Sequence, residues 1–162
     1  MLIREATAGD WPAIWPFFRE IVTAGETYAY DPAIGSEQAR AMWLLPPPGH
    51  SVVALDPAGT VLGTAKLNPN QTGPGGHVAS ASFMVDPAHA GQGVGRALGE
   101  HALGWARAAG YRAMQFNAVV ETNTPAVALW LSLGFQIIGT VPEAFRHPTH
   151  GYVGLHVMYR RL

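Results

Sequence analysis

Residues 78–98 read Val78-Ala79-Ser80-Ala81-Ser82-Phe83-Met84-Val85-Asp86-Pro87-Ala88-His89-Ala90-Gly91-Gln92-Gly93-Val94-Gly95-Arg96-Ala97-Leu98. Val78 to Val85 reads as a strand, and Asp86-Pro87 stops it. Val94, Ala97, Leu98, Ala102, Trp105 and Ala109 then recur with the period of an amphipathic helix, closed by Gly110 at the C-cap. Between strand and helix lies a glycine-rich turn. Glycines let backbone N–H groups converge on one point and let an anion approach closely. The helix N-terminus adds positive partial charge there. The expected ligand is therefore a phosphate or pyrophosphate. One helix terminus contributes only about 0.3–1 kcal/mol, so several amides and a large organic body are needed for useful affinity. A phosphate-binding P-loop needs Gly-Lys-Ser/Thr, and no lysine follows. Gly91-Gln92-Gly93 begins a dinucleotide fingerprint, but Arg96 stands where its third glycine belongs, and a meander rather than a parallel array precedes it.

Reading outward from this turn gives the rest of the chain. Leu2 to Thr7 is a short first strand. Asp10 reads as the N-cap or first-turn acid of a helix whose apolar stripe is Trp11, Ile14, Trp15, Phe18, Ile21 and Val22. Glu26 to Pro32 is a polar, aromatic loop. A second helix is expected from Ser36 to Leu45, ended by Pro46-Pro47-Pro48-Gly49. Ser51–Leu55 and Thr60–Leu67 flank Asp56-Pro57-Ala58-Gly59, a hairpin signature. Arg112–Val120 reads as a strand with Gln115, Asn117 and Val119 on one face. Asn123 is a natural N-cap for a short helix over Pro125–Leu133. A strand over Phe135–Val141, a polar loop over Pro142–Gly151 and a last strand near Tyr152–Tyr159 complete the chain. The whole, residues 1–162, is expected to be one α/β domain with a mixed sheet.

Composition narrows the function. Charged residues are 13% of the chain, about half the usual share, and the net charge is −1. Lys66 is the only lysine, and no basic stripe exists to follow a nucleic-acid backbone. Cysteine is absent, which excludes disulfides, thiolate metal sites and cysteine nucleophiles. No apolar run approaches the roughly 18 residues of a membrane span. The charged start Met1-Leu2-Ile3-Arg4-Glu5 does not read as a secretory signal, so a cytoplasmic protein is expected.

Ala90-Gly91-Gln92-Gly93-Val94-Gly95 resembles the Q/R-x-x-G-x-G/A pattern of the GNAT superfamily of acetyl-CoA-dependent N-acetyltransferases. Asn123-Thr124-Pro125-Ala126-Val127-Ala128-Leu129-Trp130-Leu131-Ser132-Leu133-Gly134-Phe135 is similar to that family's N-x-x-A-x-x-L-Y-x-x-x-G-F segment. Glu26-Thr27-Tyr28 and Ala144-Phe145-Arg146-His147 resemble the phosphinothricin acetyltransferase-like branch. The resemblance implies a mainly antiparallel, twisted sheet with helices on both faces. It implies direct acetyl transfer from acetyl-CoA, without a metal, to the amine of a small molecule, and it leaves room for a homodimer. It places the cofactor on Phe83, Met84 and Val85, on the turn Gly91, Gln92, Gly93, Val94, Gly95 and Arg96, and on Asn123 and Trp130. Two positions depart from the pattern. Ala90 replaces a side-chain donor but leaves the turn's amides. Trp130 stands where the family has a tyrosine that often serves as general acid, and an indole N–H cannot deliver a proton at neutral pH.

Two alternatives remain open: a non-catalytic acyl-CoA-binding module, and a dinucleotide-binding protein. The chemistry of transfer sets what to look for. An alkyl amine has a pKa near about 10.4, so only a few molecules in ~10⁴ are neutral at pH 7. A base, or a water chain to one, is therefore useful. Candidate catalytic residues are Glu26, Tyr28, Glu121 and His147, with Tyr28 or His147 as substitute proton donors. Candidate acceptor contacts are Thr27, Tyr30 and Asn117.

Overall fold

The turn between the second and third strands shows how local chemistry builds the sheet. Asp56 accepts hydrogen bonds from the Ala58 and Thr60 amides, each at 2.8 Å. This Asx turn folds β2 (His50–Leu55) back on β3 (Val61–Pro69). β4 (Val78–Val85) continues the meander, and β1 (Leu2–Glu5) adds to the other side of β2. In the computed structural model, which describes residues 1–162, β5 (Ala113–Val120), β7 (Gly151–Arg161) and β6 (Gln136–His147) follow. The sheet has seven strands in the order β1-β2-β3-β4-β5-β7-β6. Only the β4–β5 pair is parallel.

Four α-helices cover the two faces: α1 (Trp11–Ala24), α2 (Ser36–Trp43), α3 (Val94–Ala108) and α4 (Thr124–Ser132). Strand alternation sorts the core accordingly. Val53, Leu55 and Met84 face α1 and α2, packing with Phe18, Val22 and Trp43. Val52, Ala54, Ala79 and Met114 face α3 and α4, packing with Leu98, Ala102 and Trp130. The expected order of elements and the layered α/β architecture hold.

Three local expectations are corrected, and one is sharpened. Asp10 stands at the N-cap position of α1, but its side chain bonds none of that helix's amides. Its carboxylate accepts from Arg4 at 2.7 and 2.9 Å and from the Thr7 amide and hydroxyl at 2.7 and 2.9 Å. It therefore closes a short 3-10 turn and ties that turn to β1. Val119 does not share a face with Gln115 and Asn117. A bulge between Phe116 and Val119 inserts an extra residue, so Val119 joins Phe116 on the α3 side. The second helix stops at Trp43, two residues before Leu45. The polar loop expected over Pro142–Gly151 is mostly strand: β6 runs on to His147 and turns through Pro148-Thr149-His150 alone. A bulge between Val141 and Phe145, with Glu143 at φ 53°, absorbs Pro142 without ending the pairing.

Candidate active site

β4 and β5 pair only at Val78–Ala113 and Ala79–Met114. From Ser80 onward they part, and the gap becomes a cleft of about 850 Å³. Three rings fill its α3/α4 side: Phe83 from β4, Phe116 from β5 and Trp130 from α4. Trp130 lies 4.7 Å from Phe83 and 4.9 Å from Phe116, centre to centre. The opposite mouth, on the α1/α2 side, is polar. Ser80 and Ser82 alternate with the core residues of β4, and Asn117, Thr27 and Tyr30 join them around the opening. Asn117 is held there by a bond from its Nδ2 to Asn70 Oδ1 at 2.6 Å.

The glycine turn forms one end of the cleft. Gly91 and Gly93 sit at φ 77° and 80°, a region that disfavours side chains. A Cβ on either would meet nothing within 4 Å, so the backbone is open to a ligand. Gly93 is the N-cap of α3 and no side chain caps the helix, which leaves its first amides free. Val94, Gly95 and Arg96 line the cleft beside them. Arg96 also donates to Ser132 at 2.8 Å and stands 3.6 Å from Glu100, which steadies its guanidinium. Gln92 is exposed and lies outside the lining. Across the cleft, Asn123 caps α4 by accepting from the Ala126 amide at 3.4 Å. Next to it, Thr122 Oγ1 is buried without a hydrogen-bond partner.

The strand edge at the gap is partly occupied. Tyr28 Oη donates to the Phe83 carbonyl at 2.6 Å and accepts from the Phe83 amide at 3.0 Å. Burial raises the pKa of this phenol far above its ordinary value. Ladder alternation turns the main-chain groups of Val85 and Ala81 the same way as those of Phe83, into the cleft.

The remaining candidates lie outside the lining. Glu26 is exposed on its loop. Glu121 Oε1 accepts from the Gly154 amide at 2.5 Å and ties the end of β5 to β7, although its neighbours Val120 and Asn123 line the cleft. His147 is buried, and its Nδ1 accepts from the Thr149 and His150 amides, each at 3.2 Å. It thus stabilises the β6–β7 turn. No carboxylate or imidazole lines the cleft. No three His, Asp or Glu side chains gather to hold a metal. No helix is long and apolar enough to cross a membrane.

Sequence reasoning missed Ser80, Ser82 and Phe116 as cleft residues. The strict Ala/Ser alternation from Ala79 to Ser82 was the available signal, because small polar residues facing a helix layer leave space. The place where β4 and β5 part has no signal in either strand read alone.

The acetyltransferase (GNAT) family model matches residues 11–135. A GCN5-related N-acetyltransferase structure from Kribbella flavida is 65% identical, with a TM-score of 0.97, covering 99% of this chain and 97% of that one. A phosphinothricin acetyltransferase from Sinorhizobium meliloti, solved in complex with acetyl-CoA, is 26% identical, with a TM-score of 0.87, covering 99% of this chain and 88% of that one. The N-acetyltransferase aca1 of Schizosaccharomyces pombe is 32% identical over 113 residues, 69% of this chain. The match spans 54% of that curated relative, about half its length.

Proposed function

The chain belongs to the acetyltransferase (GNAT) family, and we propose that it transfers an acetyl group from acetyl-CoA directly to the amine of a small molecule. The observation that carries this reading is the parting of β4 from β5 beside an uncapped helix N-terminus. Open amides at one end and a polar mouth on the far face suit a phosphorylated donor and a separate acceptor. The bound donor supplies a thioester whose acyl carbon the amine attacks as the thiol departs.

The chain's own groups do the rest. The amides behind Gly91 and Gly93 hold the anionic end of the donor. The Val85 N–H polarises the acyl carbonyl, a role that favours developing charge on oxygen. Asn123 and Trp130 bound the donor on the α4 side. Thr27, Tyr30, Ser82 and Asn117 hold the acceptor at the polar mouth. With no carboxylate or imidazole in the lining, the amine gives its proton to water. Selecting its neutral form at pH 7 costs about 4–5 kcal/mol. The leaving thiol has a pKa of roughly 8.5 and departs without a general acid, so Trp130 does not bar the reaction. Tyr28 is a poor acid here, because burial first, and the neighbouring Tyr30 after it, raise the pKa of its phenol.

The same lack of a lining base favours one second reading, a module that binds acyl-CoA without turning it over. Thiol release from acetyl-CoA over amino acids, polyamines and aromatic amines separates the two. Amine-dependent release, lost in Gly93→Asp, supports the transferase. Tight acetyl-CoA binding with no release over the whole set supports the module.

A further inference from the structure

In an antiparallel ladder, the two residues of a hydrogen-bonded pair satisfy each other's N–H and C=O. At Phe83 one hydroxyl does both, since Tyr28 Oη donates to the carbonyl at 2.6 Å and accepts from the amide at 3.0 Å. Tyr28 reaches this point from the loop after α1, so a side chain closes a strand edge that β5 leaves open. Its ring is fixed by its neighbours. Tyr30 lies 5.2 Å away and Trp43 6.3 Å away, centre to centre. Trp43 is itself fully buried and donates its indole N–H to Thr64 at 3.0 Å.

A strand-like donor arm entering from the glycine turn therefore meets Val85 free and Phe83 taken. Beyond Phe83 only Ala81 turns into the gap before β5 closes it at Ala79–Met114. The α3/α4 side offers no detour, because Phe83, Phe116 and Trp130 fill it.

We propose that Tyr28 is the stop that measures the acyl group, admitting acetyl beside Val85 and excluding longer chains. This rests on the transfer reading above. An added methylene gains from burial, but here it must break both bonds of the Tyr28 hydroxyl to advance. Tyr28 acts as a specificity-determining residue, through the room it leaves at Phe83.

The test is calorimetric titration of the wild type, Tyr28→Phe and Tyr28→Leu with acetyl-CoA and with butyryl-CoA, each protein also being melted. Turnover with the same two donors is measured alongside. The wild type should bind acetyl-CoA about tenfold more tightly than butyryl-CoA, the scale of two main-chain bonds surrendered for buried methylenes. Tyr28→Leu should bring the two within about twofold, with Tyr28→Phe between. Equal wild-type affinities overturn the proposal. So does a donor preference unchanged in both variants, which would leave Tyr28 a packing residue only. Loss of turnover with both donors in Tyr28→Phe, at unchanged affinities, would make the hydroxyl a proton donor instead. If the wild type prefers acetyl-CoA yet releases no thiol with any amine, the stop stands and the transfer reading fails.

Discussion

Gly99 of α3 lies directly beneath Trp130 of α4: a Cβ at position 99 would stand 3.0 Å from Trp130 Cζ3 and 2.8 Å from Leu133 Cδ1. The helix that begins at the glycine turn and the helix capped by Asn123 thus approach because one residue lacks a side chain. Gly99→Ala should destabilise the fold by about 1–3 kcal/mol from overpacking, less about 1 kcal/mol of regained helix propensity. Gly104, on the exposed side of the same helix, has nothing within 4 Å of its Cβ position. Gly104→Ala should therefore stabilise by about 0.5–1 kcal/mol. Urea denaturation of both variants reads opposite signs; the same sign in both would refute the packing account.

The turn itself makes a second prediction. Gly93→Asp puts a negative charge and a strained left-handed backbone at the open end of the cleft. Acetyl-CoA affinity should fall at least about tenfold in a folded protein. Calorimetry showing wild-type affinity would remove the anion site from this turn.

Asp10 governs acid stability. The Arg4 guanidinium first, and the Thr7 amide and hydroxyl after it, hold its carboxyl well below the usual carboxylate range. A carboxyl depressed in the folded state stabilises above its unfolded pKa of about 3.9, and that contribution is lost as pH falls below it. Asp10→Asn should cost about 1–3 kcal/mol at pH 7. The gap between wild type and variant should narrow as pH drops below about 4. Melting temperatures from pH 7 down to pH 3 check this; a constant gap would contradict it.

Much of this is legible in the amino-acid sequence alone. Asn123 was readable as an N-cap, and Asp56-Pro57-Ala58-Gly59 as a hairpin, because each is decided within a few residues. Strand β4, the glycine turn and α3 were readable for the same reason. What failed depends on contacts that strand pairing and turn geometry create. Asp10 was recruited by Arg4 from β1. The bulge at Asn117-Ala118 exists only in pairing with β7 and reversed Val119. His147 read as a candidate proton donor, yet its ring nitrogen serves the turn that the long β6–β7 hairpin creates. Among the candidate site residues, the glycine turn apart from Gln92, with Asn123, Trp130, Thr27, Tyr28, Tyr30 and Asn117, meets in one cleft, whereas Glu26, Gln92, Glu121 and His147 do not line it.

The missing base predicts a pH profile. With the amine deprotonated by water, kcat/KM on total alkyl amine should rise about tenfold per pH unit toward the amine's own pKa near about 10.4. Glu121→Gln should leave the profile in place and kcat within about threefold, well short of the effect of losing a general base. A plateau between pH 7 and 8, abolished in Glu121→Gln, would restore Glu121 as the base.

The most direct test of direct acetyl transfer is to follow product and protein together by mass spectrometry, with acetyl-CoA and the best amine from the screen. Acetylated amine should accumulate in step with free thiol, while the intact protein mass never gains an acetyl group during turnover. Absence of acetylated amine, or an acetylated protein that forms and decays at the rate of product release, would contradict the account.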